Sequence, residues 1–264
     1  MCAILYLLTD QAEQKGERLM EPIKVLEVKG LSKQYKKGVY ASEKVTFDVK
    51  KGEIFALIGP NGAGKTTTIR MIATLLQATE GDALVAGYSI LTDPDKVRRN
   101  ITYLPDEAGA YKNMTGRSYL KFMAELYADN KEQAEEYAAE GCRMCELGDR
   151  LDDKISSYSR GMQRKLLLAR AIMSKPVLAI LDEPTSGLDI INALEIRRMI
   201  KNLAAEGMSF LISSHNMLEI EYVSDRVGII AKGHLLETGK PSELLEKYDT
   251  KNLEEVFEKA VNAQ

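Results

Sequence analysis

Gly59-Pro60-Asn61-Gly62-Ala63-Gly64-Lys65-Thr66-Thr67 carries the spacing Gly-x-x-x-x-Gly-Lys-Thr of a phosphate-binding loop. The apolar run before it, Ile54-Phe55-Ala56-Leu57-Ile58, reads as a buried parallel strand, and Thr68-Ile69-Arg70-Met71-Ile72-Ala73 after it reads as a helix. A glycine-rich turn without a ligand would not need that strand–loop–helix setting. Glycines let successive backbone N–H groups face inward as an anion nest, and the helix N-terminus adds its positive dipole. Lys65 is placed to reach the outer phosphates of a nucleoside triphosphate, and Thr66 to put its hydroxyl on a magnesium ion.

A second stretch supplies the complementary chemistry. Val177-Leu178-Ala179-Ile180-Leu181-Asp182-Glu183 is an apolar strand ending in two carboxylates. A strand buried on both faces delivers Asp182 to the carboxyl edge of the sheet, where such folds bind phosphates. There Asp182 can hold magnesium through water, and Glu183 can polarise an attacking water as general base. Ser186-Gly187-Leu188-Asp189 follows at once. His215 ends the next apolar run, Phe210-Leu211-Ile212-Ser213-Ser214, a position suited to sensing a terminal phosphate. His234 falls in Lys232-Gly233-His234, read as an exposed hairpin turn without a role. Tyr158-Ser159-Arg160-Gly161-Met162-Gln163 opens a helix with the apolar stripe Leu166, Ala169, Met173 and with Ser159 as its cap.

The rest of the chain bounds these readings. Its 264 residues accommodate one α/β domain with a smaller insertion. A net charge of −3, from 36 basic and 39 acidic residues, gives no electrostatic reason to expect a nucleic-acid partner. Cys142-x-x-Cys145 lacks a second ligand pair and reads as a thiol pair within a helix; with Cys2 the only other cysteine, the chain reads as cytosolic. No apolar run approaches the roughly 18–20 residues a bilayer span needs. Cys2 to Leu8 is short, lacks a basic flank and is followed by Asp10, which makes a poor signal peptide; residues 1–21 are read as an extension outside the fold, with Met20 a natural start.

Strands are expected at Val25–Leu31 and Val45–Val49 around a Lys36-Lys37-Gly38 turn, then at Asp82–Tyr88 and within Val97–Leu104. The phosphate-loop helix is expected to run to about Thr79-Glu80-Gly81. From Thr115 to Ser174 the texture is helical, with Tyr119, Phe122, Met123, Leu126 and Tyr127 at i, i+3, i+4, i+7 and i+8. Strands return at Val177–Leu181, Ser209–Ser213 and Arg226–Ala231, Ile190–Glu206 is helical, and Glu243–Ala263 reads as a peripheral pair of short helices.

In this order, from Val25 to Leu245, these elements resemble the nucleotide-binding subunit of ATP-binding cassette (ABC) transporters. The resemblance implies an α/β P-loop NTPase fold with a mostly parallel core sheet, an antiparallel β subdomain and an inserted α-helical subdomain at about 106–174. The ATPase domain would span 22–247 and a helical tail 248–264. It implies ATP and Mg2+ as ligands. Gly59, Pro60, Asn61, Gly62, Ala63, Gly64, Lys65, Thr66 and Thr67 look like Walker A, and Asp182-Glu183 like the end of Walker B. Ser186–Asp189 resembles the D-loop, His215 the switch histidine, and Tyr35 the aromatic side chain that stacks on adenine. Lys65, Glu183 and His215 would be catalytic, and Thr66, Asp106 and Asp182 would face the metal.

Tyr158–Gln163 stands where the family signature Leu-Ser-Gly-Gly-Gln lies. Ser159 and Gly161 are retained, but Arg160 replaces the first glycine and Met162 the final glutamine. Asp106 occupies the place of the Q-loop glutamine; it is shorter and charged, and still able to bind magnesium or orient water. In the family two subunits pack head to tail, and each ATP lies between one Walker site and the partner's signature. The resemblance therefore implies a second ATP-binding subunit, a homodimer being expected. It also implies a separate integral-membrane permease, at the cytoplasmic face of the cell membrane. The Tyr-Ser-basic-Gly-Met form and the acidic Q-loop resemble bacterial exporter ATPases encoded apart from their permeases. One alternative is a soluble ABC ATPase acting on ribosomes or DNA, although such relatives usually carry two cassettes or long coiled coils. Another is a subunit that binds ATP without hydrolysing it, against which Lys65, Asp182, Glu183 and His215 stand.

Overall fold

The computed structural model describes residues 23–263, so the reading of residues 1–21 lies outside the described residues. Strands β1 (Lys24–Lys36) and β2 (Val39–Lys50) form an antiparallel hairpin around the Lys37-Gly38 turn and are longer than their alternating cores suggest. β4 (Glu80–Val85) and β5 (Tyr88–Ser89) complete an antiparallel sheet of order β2-β1-β4-β5. The second sheet has the order β10-β9-β3-β8-β7-β6 and runs through β3 (Ile54–Ile58), β6 (Ile101–Leu104), β7 (Leu178–Asp182), β8 (Ser209–Ser214) and β9 (Arg226–Ala231). Those five strands are parallel, and β10 (His234–Gly239) returns antiparallel to β9. β3, β7 and β8 are buried throughout, as befits continuous apolar runs covered on both faces. All three point their carboxyl ends at one edge, and that edge carries the phosphate loop, Asp182-Glu183 and His215.

Nine α-helices are defined among the described residues. α1 (Lys65–Ile72) leaves the phosphate loop, α2 (Pro94–Asn100) precedes β6, and α3 (Gly116–Tyr127), α4 (Lys131–Met144) and α5 (Arg160–Ile172) lie between β6 and β7. α6 (Ile190–Ala205) joins β7 to β8, and α7 (Met217–Glu221), α8 (Pro241–Tyr248) and α9 (Leu253–Asn262) follow.

Three local expectations are corrected and one is sharpened. α1 stops at Ile72, well short of Thr79: Thr74 takes a left-handed φ of 60°, and the Leu75 and Leu76 N–H groups both return to the Arg70 carbonyl. The strand expected within Val97–Leu104 is β6 at Ile101–Leu104, preceded by the end of α2, which Pro94 at an N-terminal position starts. On α3 the buried positions are Gly116, Tyr119, Leu120 and Ala124, whereas Phe122, Leu126 and Tyr127 are exposed. The C-terminal helices are not merely peripheral, since Leu244, Leu253 and Val256 enter the same core as α5 and the parallel sheet.

Candidate functional site

The phosphate loop is built by close backbone packing. Gly64 sits at φ 107°, and a Cβ there would collide with the Ala41 carbonyl oxygen of β2. A Cβ at Gly59 would collide with the Ile230 carbonyl. The turn between β9 and β10 clamps the loop from the other side: Gly233 N–H donates to Ala63 O at 2.9 Å, and Glu43 N–H donates to Gly233 O at 2.8 Å. Gly64→Ala is therefore expected to weaken ATP binding on the order of 10–100-fold, because strain and collision act together. Gly62→Ala, with open space around it and only its φ of 79° to oppose it, should lose much less. Titration of a fluorescent ATP analogue into each variant checks both.

Asn61 to Thr67, with Ala41, Asp106, Asp182 and Glu183, line a hollow of about 220 Å³. Lys65 is buried against its own loop, its ammonium donating to Gly59 O at 2.6 Å and Pro60 O at 3.2 Å and lying 3.8 Å from Glu183 Oε1. Burial lowers its pKa, an effect opposed by the Glu183 and Asp182 carboxylates. Glu183 holds an unusual left-handed φ of 50° for a side chain with a Cβ. Its N–H is tied to Ser213 O at 3.1 Å and Ser213 Oγ at 3.2 Å, and its Oε2 lies 2.9 Å from His215 Nδ1. Strain at a residue carrying the proposed chemistry is where surrounding contacts must hold a backbone in place.

Asp182 receives three hydroxyls. Thr66 Oγ1 donates to Oδ1 at 3.4 Å, Ser213 Oγ donates to the same oxygen, and the Tyr103 hydroxyl donates to Oδ2 at 3.3 Å. Burial, the largest influence on Tyr103, raises its pKa, so the phenol is the donor. The oxygen-only set of Thr66, Asp106 and Asp182 suits a hard divalent cation that keeps phosphate and water ligands. Among the described residues there is no cluster of three or more His, Cys, Asp or Glu that could hold a metal ion by itself.

The other expected contacts lie elsewhere. Ser159 is the N-cap of α5, accepting from Met162 N–H at 3.2 Å, and Gly161 is buried against the Asn192 side chain of α6. Arg160 lays its guanidinium over Gly187 of the same chain. Neither Ser159 nor Gly161 lines the phosphate hollow. Tyr35 is 61% exposed on β1 beneath the Lys33 ammonium, 5.6 Å from its ring centre, and also lies outside the lining.

Arg164 was not among the expected residues. Only 7% exposed, it has no carboxylate partner among the described residues and spreads its guanidinium over backbone carbonyls: Pro184 at 2.7 Å, Asp106 at 3.0 Å, Pro105 at 3.4 Å, Glu183 at 2.7 Å and Asp182 at 3.3 Å. Burial lowers its pKa, with Asp106 and Asp182 opposing, yet a guanidinium keeps its charge in proteins. One side chain, a turn beyond Ser159, thus ties the α5 N-terminus to the Asp106 loop and to the Glu183 backbone. The available signal was its spacing: Gly161, Arg164 and Leu168 share the buried face of α5.

Comparison with known proteins agrees with this geometry. The ABC transporter family profile matches residues 42–186, more than half the chain. The chain is 37% identical over 220 residues to the linearmycin resistance ATP-binding protein LnrL of Bacillus subtilis, spanning 83% of this chain and 70% of that one. It is 35% identical over 231 residues to the lipopolysaccharide export system ATP-binding protein LptB of Escherichia coli, spanning 86% and 95%. The solved structure of an ATP-binding subunit of an ABC transporter superposes with a TM-score of 0.78 at 30% identity, over 90% of this chain and 99% of that one. The phosphate loop, Asp182-Glu183 and His215 share one sheet edge, and the chain belongs to the ABC transporter family as an ATP-binding, ATP-hydrolysing subunit of that class.

Proposed function

We propose that this chain is the motor of an exporter, acting as a pair of copies on a separate integral-membrane permease at the cytoplasmic face of the cell membrane. The observation that carries the reading is the incompleteness of the site. The Walker residues line the phosphate hollow, while Ser159 and Gly161 stand apart at the start of α5. Two copies packed head to tail would bring the partner's signature to the terminal phosphate, at a helix N-terminus suited to anions. Residues 22–247 are taken as the ATPase domain, with 106–174 as its helical insertion and 248–264 as its tail.

In the proposed reaction Glu183 takes a proton from the attacking water while His215 holds its second oxygen, and Lys65 and the loop N–H groups neutralise the phosphates. Thr66, Asp182 and Asp106 are the residues to hold Mg2+, which when bound neutralises charge on the phosphate oxygens. The new bond is from water oxygen to the γ-phosphorus, and the bond to ADP breaks. Release of phosphate would then loosen the pair, turning hydrolysis into a two-state motion.

Export is supported by the relatives named for linearmycin resistance and lipopolysaccharide export. No helix among the described residues is long and apolar enough to cross a membrane. A permease partner is supported by one surface feature. Exposed Tyr111, Phe122, Leu126 and Tyr127 lie on and before α3, the last two bordering a groove of about 690 Å³ that also holds Arg98, Arg99 and Arg170. An apolar patch rimmed by charge is a surface for a protein partner. Purification of the chain from mildly solubilised native membranes should recover a polytopic protein at near-equal stoichiometry. Recovery with ribosomes or other soluble assemblies alone, after crosslinking, would instead favour the soluble ATPase.

A further inference from the structure

Asp182 is held more completely than a carboxylate at a strand end requires. Its partners come from three separated segments: Thr66 in the first turn of α1, Tyr103 in β6 and Ser213 in β8. A carboxylate has about four lone-pair sites. Two hydroxyls on Oδ1 and one on Oδ2 leave Oδ2 with capacity to spare, so the free valence of Asp182 is directed rather than averaged. Without such partners the terminal torsion of an aspartate is broad and roughly two-fold.

Ser213 is fully buried and does two things at once: its Oγ accepts the Glu183 N–H and donates to Asp182. Tyr103 stands three residues before Asp106, so the strand that grips Asp182 runs directly into the acidic loop lining the same hollow. Thr66 differs from both, because its hydroxyl can donate to Asp182 and still offer lone pairs to a cation.

We propose that Tyr103 and Ser213 are positioning residues for the divalent-cation site of the phosphate hollow, acting through Asp182; this rests on the reading that Asp182 faces the cation. Partners of this kind fix ligand orientation, and losing one typically weakens metal binding on the order of 10–100-fold.

The test uses Mn2+ as an EPR-visible probe, titrated into the full chain with AMP-PNP. Tyr103→Phe and Ser213→Ala should each weaken Mn2+ binding by roughly tenfold or more. Their affinity for AMP-PNP in EDTA should match the unsubstituted chain, and Ser213→Thr, which keeps a hydroxyl, should recover part of the loss. Asp182→Asn is the reference and should abolish the tight Mn2+ site. If Asp182→Asn binds Mn2+ normally, the assignment of Asp182 itself fails. If Asp182→Asn loses Mn2+ while Tyr103→Phe and Ser213→Ala keep it, the positioning role is overturned, whatever those variants do to folding stability.

Discussion

Glu183→Gln should reduce ATP turnover by roughly 10²–10⁴-fold, the range that a positioned general base supplies, while leaving nucleotide binding intact. The amide keeps the shape of the side chain and the left-handed backbone at φ 50°, but it cannot take a proton from water. The site should then fill with ATP and stall, and the paired state should accumulate. Phosphate release in steady state measures the first effect, and sedimentation with and without ATP measures the second. Glu183 lies between Lys65, 3.8 Å from Oε1, and His215, 2.9 Å from Oε2. His215→Ala should therefore lower turnover too, through misorientation of the carboxylate. Turnover of the Glu183→Gln chain at the normal rate would remove Glu183 from the chemistry.

Arg164→Met should be the most damaging single change away from the phosphate loop. The substitution fits the space but removes the guanidinium from the carbonyls of Pro105, Asp106, Asp182 and Pro184, while Glu183 O keeps only the Ser186 N–H. A buried polar group left unpaired costs about 1–3 kcal/mol, so a loss on the order of 3 kcal/mol or more is expected in urea unfolding. Lysine should rescue little, because an ammonium cannot spread planar donors over the two segments. Arg117 provides the contrast. Its two-pronged pair with Asp152 is at least half exposed on both sides, and Arg117→Met should cost no more than about 1 kcal/mol. Turnover should separate the two further, since Arg164, unlike Arg117, bonds to the Glu183 and Asp106 backbones.

Much of this arrangement was legible in the chain itself, for reasons that differ by residue. The phosphate loop is local: glycines, lysine and threonine at fixed offsets, between a strand and a helix, leave little freedom in where they act. Asp182, Glu183 and His215 were readable because each ends an apolar run that a parallel sheet must bury, and parallel strands deliver their ends to one edge. Tyr103, Ser213 and Arg164 were not readable as site residues. Their partners are Asp182 or carbonyls between 18 and 79 residues away, and no periodicity encodes a contact of that kind.

Phe122, Leu126 and Tyr127 show the converse. Helical spacing groups them on one stripe of α3, but spacing says nothing of whether that stripe meets this chain or another. The early end of α1 turned on Thr74 adopting a left-handed conformation, a choice that threonine composition does not announce.

The measurement that bears most directly on a site shared between two copies is specific ATPase activity against chain concentration, at saturating Mg2+ and ATP, with oligomeric state followed by sedimentation. Activity per chain should rise with concentration in step with the paired fraction, because in the proposed head-to-tail pair Ser159 and Gly161 of one copy complete the other copy's phosphate site. Constant activity per chain, down to concentrations at which sedimentation finds monomer alone, would contradict it.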